Sequence, residues 1–262
     1  MPEQKERLLM KNYNPETYWS AVANRIELRD GGPFLAGDDE PYYRYKRNLF
    51  LQMLNKIEFK DKSVLEVGCG PGGNLIEILK HQPRELCGVD ISEKMLEVAK
   101  RNLPPPVKLV KSSLGLLPFG DGTFEVVFSA TVLQHNLDEG QFSKLLEEMA
   151  RVCSGKIYLF ERVEKATYVT DYCIGRPLNA FADILKPRGY QLINAENISI
   201  KASYIMAGVI RKLFNRRSRA EGENLSEITI KLENLLLPIT SKLDRLLKLK
   251  SDLTKMEFVR TN

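Results

Sequence analysis

Val64-Leu65-Glu66-Val67-Gly68-Cys69-Gly70-Pro71-Gly72-Gly73-Asn74 is a short apolar run that closes on an acid and opens into a glycine-rich turn. A helical pattern follows, with Leu75, Ile76, Ile78 and Leu79 on one side. Strand, tight loop and helix in that order belong to a doubly wound sheet, where ligands sit at the carboxyl ends of the strands. Residues without a Cβ allow the sharp turn and let a ligand approach the backbone closely. Glu66 sets a negative charge at the mouth of the strand, where a pyrophosphate is repelled and a ligand bearing an ammonium is held.

Two ligand classes compete for this loop. Gly68, Gly70 and Gly73 satisfy G-x-G-x-x-G, and Asp90 stands about twenty residues further on, the spacing of a dinucleotide site. Glu66 tells against that reading, because the first strand of a dinucleotide site normally stays apolar up to its first glycine.

Composition narrows the rest. A chain of 262 residues can bury one substantial core, and α/β folds of this length are commonly single domains. Cys69, Cys87, Cys153 and Cys173 form no C-x-x-C pair and read as reduced thiols of a cytoplasmic protein, not as a disulfide framework or a zinc site. With only two histidines and no carboxylates at ligand spacing, no metal site is expected. The start of the sequence lacks the apolar core of a signal peptide, and no run is long enough to span a bilayer. A net charge of +5, from 39 basic and 34 acidic residues, does not by itself imply nucleic acid.

Hydrophobic periodicity predicts strands near 63–67, 85–90, 107–111, 124–129, 156–161 and 189–195, with helices near 72–81, 92–102, 139–152 and 176–186. Short loops and right-handed crossovers turn that alternation into a parallel sheet covered on both faces. Before it, Pro15 to Ala23 predicts a short helix, Gly31-Gly32-Pro33 a break, and Asp38-Asp39-Glu40-Pro41 the start of a helix to about Lys56. After it, 204–219 is amphipathic, with Ile205, Met206, Val209, Ile210, Leu213 and Phe214 set against Arg211, Lys212, Arg216, Arg217 and Arg219. Residues 225–249 continue the helical pattern, with a kink expected at Pro238.

The glycine string resembles motif I of the class I S-adenosylmethionine-dependent methyltransferases, in which an acid precedes G-x-G-x-G. Leu86-Cys87-Gly88-Val89-Asp90-Ile91-Ser92 is similar to that family's second strand, and Leu117 to Phe128 to the adenine-side loop and fourth strand of its small-molecule branch (methyltransferase type 11-like). Gln134-His135 follows where that branch often carries a histidine. The likeness covers about 60–162. It implies a mostly parallel seven-stranded Rossmann-like sheet whose final, antiparallel strand is Leu253 to Val259, and S-adenosyl-L-methionine as cofactor; residues 1–60 read from their own helical pattern as a lid. The core would be 61–200 with 250–262, and 201–249 a helical insertion over the acceptor side. The last two strands of the family usually form a hairpin, so this insertion is a departure.

The resemblance implies a cofactor set of Glu66, Gly68, Gly70, Asn74, Asp90, Ile91, Ser113, Leu114 and Ala130, to which the aromatic and basic run Tyr42 to Arg47 adds Arg44. Glu66 meets the cofactor amine or is a surface acid at a strand end. Asp90 accepts both ribose hydroxyls or caps the helix at 92–102, a task Ser92 can perform as well. Ser113 stands where the family often has an aspartate, and its hydroxyl holds an adenine amine less strongly than a carboxylate would. The Leu114 N–H can bond the ring regardless. One of Arg44, Lys46 or Arg47 pairs with the cofactor carboxylate, or these cations are a solvated helix face. His135 is the candidate base, since an imidazole of ordinary pKa about 6.5 suits removal of a hydroxyl proton, or it packs beneath the methionine end. His81 reads as a partner of a helix C-terminus. Glu161 orients an acceptor or pairs with His135, or is a solvated strand-end acid.

The expected function is methyl transfer to an oxygen or nitrogen of a small or medium acceptor by in-line displacement, the protein supplying alignment, desolvation and at most one base. Three rivals stand beside it: a nucleic-acid methyltransferase, a non-catalytic cofactor-binding regulator, and a nicotinamide oxidoreductase. Ser129-Ala130-Thr131-Val132 lacks the Asn/Asp-Pro-Pro-Tyr of base amino-group modifiers, so no nucleic-acid partner is expected. Residues 201–219 also read as a membrane-surface helix, which would make the acceptor lipid-like. Neither the acceptor nor the oligomeric state is fixed by the sequence.

Overall fold

The structure, a computed structural model, describes residues 13–28, 40–113, 115–170, 173–215, 223–248 and 253–261. Two helices, α1 (Pro15–Glu27) and α2 (Pro41–Leu54), precede the sheet. Then come β1 (Ser63–Val67), α3 (Gly73–Leu79), β2 (Glu85–Asp90), α4 (Glu93–Asn102), β3 (Lys108–Lys111) and β4 (Phe124–Ala130). A single 3₁₀ turn at Leu133–His135 leads to α5 (Glu139–Val152) and β5 (Cys153–Arg162). The rest is a two-stranded ribbon, β6 (Tyr168–Val169) and β7 (Ile174–Gly175), then α6 (Leu178–Leu185), β8 (Tyr190–Asn197), α7 (Lys201–Phe214), α8 (Glu227–Leu247) and β9 (Leu253–Arg260).

The main sheet has seven strands in the order β3-β2-β1-β4-β5-β9-β8. β9 runs antiparallel between β5 and β8, and the pairs among β1 to β5 are parallel. This is the seven-stranded Rossmann-like methyltransferase architecture that the motif order implied. β1 is buried at every position of its Ser63–Val67 run, as a strand covered on both faces must be. Two apolar clusters lie on the two faces. Phe50, Leu54, Phe59, Phe128 and Phe160 belong to one, and Leu65, Val127, Phe142, Leu146 and Phe258 to the other.

Sequence signals set most helix starts. Asn14, Ser92, Asp138 and Ser226 each accept a backbone N–H three residues on, the usual N-cap arrangement. The proposed cap at Asp38-Asp39 and the break at Gly31-Gly32-Pro33 lie outside the described residues. Glu40 is the N-cap residue of α2 and makes no side-chain cap bond; its carboxylate meets Arg211 at 2.9 Å instead.

The insertion differs from its sequence reading in detail. α7 begins three residues earlier than expected and its described part ends at Phe214, while α8 continues through Pro238 as one helix. Arg216, Arg217 and Arg219 lie outside the described residues. The two helices form an antiparallel pair, joined by Ser203 Oγ to Asp244 at 2.5 Å, Arg211 to Glu233 at 2.6 Å and Thr229 to Asn215 at 3.1 Å. Both also touch α2. Because β8 runs parallel to β5, its carboxyl end lies at the same sheet edge as those of β1, β2 and β4, and the insertion rises from that edge. Among the described residues, no helix is long and apolar enough to cross a membrane.

Candidate active site

The parallel register brings Glu66, Asp90, Ala130 and Glu161 to one edge of the sheet, each at or within one residue of its strand's end. The glycine loop is fastened there by its own backbone. Gly68 and Cys69 both donate to the Val89 carbonyl, at 2.8 and 2.9 Å, and Gly70 donates to Asp90 Oδ2 at 2.9 Å. Two glycines are needed for different reasons. Gly68 has φ +74°, and a Cβ there would stand 2.2 Å from Val132 Cγ2, so the loop is pressed against the turn after β4. Gly70 has φ +50°, and a Cβ there would meet nothing within 4 Å. The backbone at Gly70 therefore borders open space.

Glu66 is 1 % exposed, so it is no surface acid. Its Oε1 accepts from Asn74 Nδ2 at 2.7 Å, and Arg47 Nη1 donates to Asn74 Oδ1 at 3.2 Å. Oε2 is buried with no hydrogen-bond partner. Burial pushes this carboxyl up to about 8 from its ordinary value, against the pull of Asn74 and the Arg47 charge. A buried acceptor left unmade is costly in a finished core and calls for an explanation. A ligand ammonium would satisfy it. Among the three basic candidates of α2, Arg44 is exposed, and Arg47 bonds Asn74. The phase of α2 turns position 47 towards α3, while Arg44, the residue chosen from the sequence, stands at solvent.

Asp90 is buried and accepts from Gly70 N–H through one oxygen and from Ser92 N–H, at 2.8 Å, through the other. The helix cap is made by Ser92 Oγ, from Met95 N–H. Asp90 is thus a clamp between the loop and the start of α4, and each oxygen keeps a lone pair for a further donor. Burial raises its pKa while the backbone donors oppose the rise. Ile91 is half-buried beside it. The Ser112 N–H bonds the Asp90 carbonyl at 2.9 Å, and Ser113 is exposed and bridged to Leu116. Leu114 lies outside the described residues.

After β4 the chain turns hard. Thr131 has φ +59°, unusual for a β-branched residue and a mark of imposed backbone strain. The turn from Val132 to Asn136 is held from both ends. Glu161, fully buried, accepts the N–H groups of Val132, Leu133 and Gln134 at 3.0, 3.0 and 3.1 Å, and the Ser129 hydroxyl at 3.2 Å. Arg176, 2 % exposed, donates to the carbonyls of Leu133 and Asn136 at 3.1 and 2.7 Å. Glu161 is therefore neither a solvated acid nor bonded to His135. It fixes the turn that carries His135, and burial lifts its carboxyl to about 7 against those four donors. His135 is half-buried, with Gln134 Nε2 3.2 Å from its Nε2 and the Trp19 ring 5.0 Å away.

Residues 64–155 match the family described as "Methyltransferase domain". That segment, about a third of the chain, matches as a methyltransferase domain. Ajmaline N-methyltransferase of Rauvolfia serpentina is 25 % identical to this chain over 158 residues, 58 % of this chain and 50 % of that one. The chain thus spans about half the length of that curated relative. Magnesium protoporphyrin IX methyltransferase of Synechocystis PCC 6803, solved with S-adenosylhomocysteine bound, superposes with a TM-score of 0.58 at 14 % identity, covering 94 % of this chain and 98 % of that one. The [4+2]-cyclase SpnF gives a TM-score of 0.61 at 14 % identity, covering 93 % of each chain. These two likenesses concern the fold.

Three features of the site escaped the sequence reading: the place of Trp19, the place of Arg176, and the Arg47–Asn74 link. Trp19 is the single tryptophan of the chain, which is a signal of a kind. Arg176 stands next to Pro177 with nothing in the sequence to tie it to Leu133.

Proposed function

We propose that this chain is an S-adenosylmethionine-dependent methyltransferase that methylates an oxygen or nitrogen of a small or medium acceptor. The observation that carries the reading is the buried, unpartnered Oε2 of Glu66 beside the open face of Gly70. An ammonium and an adjacent thin segment of ligand fit that pair. Glu66, Gly68, Gly70, Asn74 and Asp90 would hold the cofactor, with Ile91, Ser113 and Ala130 around it and Arg47, in place of Arg44, nearest its carboxylate. When bound, the cofactor would supply a methyl group activated by a sulfonium, so the protein's task is alignment and exclusion of water.

The chain's own residues divide that task. Asp90 and the Val89 carbonyl fix the loop. Glu161 and Arg176 hold the turn rigid, so His135 keeps one position at the edge where an acceptor would enter. His135 would take the acceptor's proton as transfer proceeds. The N-terminal helices and the 201–249 insertion would close the site as a lid: α2 carries Arg47 to Asn74 and meets both α7 and α8. The N-methyltransferase among the relatives favours an amine acceptor. The cyclase shows that the fold alone does not fix the reaction.

The test is direct. S-adenosylhomocysteine should bind by calorimetry, and radiolabelled methyl should pass from S-adenosylmethionine to members of a panel of amines and alcohols. Binding of NAD without binding of S-adenosylhomocysteine would overturn the proposal. Binding without turnover on any acceptor would favour the regulator.

A further inference from the structure

The α7–α8 pair is built inside out. In α8 the buried positions are Thr229, Glu233 and Asp244, all polar, and in α7 they are Ser203, Ala207 and Ile210. The acids of that inner layer are answered within the protein. Glu233 meets Arg211 and the Tyr42 N–H, and Asp244 meets Ser203 and the Ala202 N–H. The large apolar side chains point the other way. Ile205, Val209 and Leu213 are 54, 53 and 69 % exposed at four-residue spacing along α7. Leu235, Ile239 and Leu246 are 69, 59 and 79 % exposed along α8. Of the sixteen exposed large hydrophobic residues in the described chain, eleven lie on these two helices. α8 turns its polar side, and α7 the face of Ser203, Ala207 and Ile210, towards one another and α2, so the two apolar stripes form the outer side of the pair.

A soluble helix hides such a stripe, and an exposed patch of this extent marks a contact surface. Its charge says what it contacts. The exposed ionic groups on α7 and α8 are Lys201, Lys212, Lys231, Lys242 and Arg245 against Glu227 alone, because the other two acids are the buried ones. Apolar side chains flanked by cations match a surface with an acyl interior and an anionic rim. We propose that the outer face of the α7–α8 pair docks the protein on an anionic lipid membrane surface. Leucine and isoleucine enter the headgroup boundary and the lysines meet the phosphates, without any helix spanning the bilayer.

The test uses the intact protein and sedimentation with vesicles of phosphatidylcholine, with or without about one third phosphatidylserine. Binding to the anionic vesicles should exceed binding to the neutral ones by at least about tenfold and should weaken as salt rises. Lys242→Glu with Arg245→Glu should remove that preference, and Leu213→Ser with Leu246→Ser should lower binding to both vesicle types. Each side chain lies on the exposed face, so the melting temperature of the variants should stay near that of the parent. Equal binding to both vesicle types, or none at low salt, would overturn the proposal. A concentration-dependent dimer lost in the Leu213→Ser and Leu246→Ser variant would overturn it too and give the face to a second copy of the chain. None of these outcomes depends on whether the sheet edge binds S-adenosylmethionine.

Discussion

The Trp19 indole meets the His135 imidazole edge to face, 5.0 Å between centroids with 83° between the planes. A helix that precedes the sheet thus supplies one wall for the candidate base, at a distance and angle where aromatic pairs are favourable. His135→Ala is expected to lower kcat by about 100-fold or more while leaving affinity for S-adenosylhomocysteine nearly unchanged. Trp19→Ala should lower kcat with His135 intact, and Trp19→Phe, which keeps a ring edge, should restore most of it. A His135→Ala enzyme with the parent rate would leave only the packing role.

Gly68 and Gly70 should separate folding from binding. Alanine at either carries the left-handed backbone cost of about 1–2 kcal/mol. At Gly68 the new methyl also strikes Val132 Cγ2, whose branched side chain has little room to rotate. Gly68→Ala should therefore melt well below the parent, and Val132→Ala in the same chain should recover part of the loss. At Gly70 the methyl enters open space. Gly70→Ala should fold with the smaller cost and lose affinity for S-adenosylhomocysteine by at least about tenfold. Tight binding by Gly70→Ala would mean the ligand lies elsewhere.

Glu66 makes stability depend on pH in a stated direction. Burial lifts its carboxyl from 4.5 to about 8, and that of Glu161 to about 7. An acid that keeps its proton longer when folded contributes stability in full below its unfolded value and loses it as pH climbs to the folded one. Urea unfolding should therefore show stability from these two groups declining between about pH 4.5 and 8. Glu66→Gln should flatten the part of that decline above pH 7. An ammonium-bearing ligand favours the ionised carboxylate, so S-adenosylhomocysteine binding near neutrality should release a proton. The buffer-dependent heat that reports it should be smaller in Glu66→Gln.

Glu161 and Arg176 should act through the turn and not through the chemistry itself. Glu161→Ala leaves three backbone N–H groups and the Ser129 hydroxyl without their acceptor, a loss of at least about 2 kcal/mol. Arg176→Met keeps the bulk beside Phe142 and removes the donors to Leu133 and Asn136. Both variants should lower kcat with the pH profile of the parent. A pH profile displaced by Glu161→Gln would assign Glu161 a proton-transfer role instead.

The sequence revealed the parts of this protein that repeat a local rule. The apolar runs at 63–67 and 85–90 coincide with their strands, and Asp138 marks the start of α5 because the cap bond spans three residues. Glu66, Asp90 and the glycines were legible because the loop and its two flanking strands carry them in a fixed order. What depends on distant partners was not. The use of Glu161 becomes visible only when β5 lies beside β4. The choice of Arg47 over Arg44 rests on the phase of α2 against α3. The start of β5 at Cys153 was missed because α5 runs into it with no intervening loop. The leucines of α8 carry a helical pattern that does not say which face is covered, and its polar residues are the buried ones, since Arg211 and Ser203 of α7 wait for them.

β8 has a single neighbour in the sheet, β9, and β9 follows it only after the α7–α8 insertion. On a ribosome, β8 and both insertion helices emerge before the strand that ties them to β5. Throughout that interval the nascent chain carries an unpaired strand edge beside two apolar stripes, the combination on which chains self-associate. The outward leucines of α8 thus bear on the rate of synthesis as well as on the finished surface: slower translation between Asn197 and Leu253 lengthens the exposure. A holdase, or an anionic bilayer close to the exit tunnel, would shorten it.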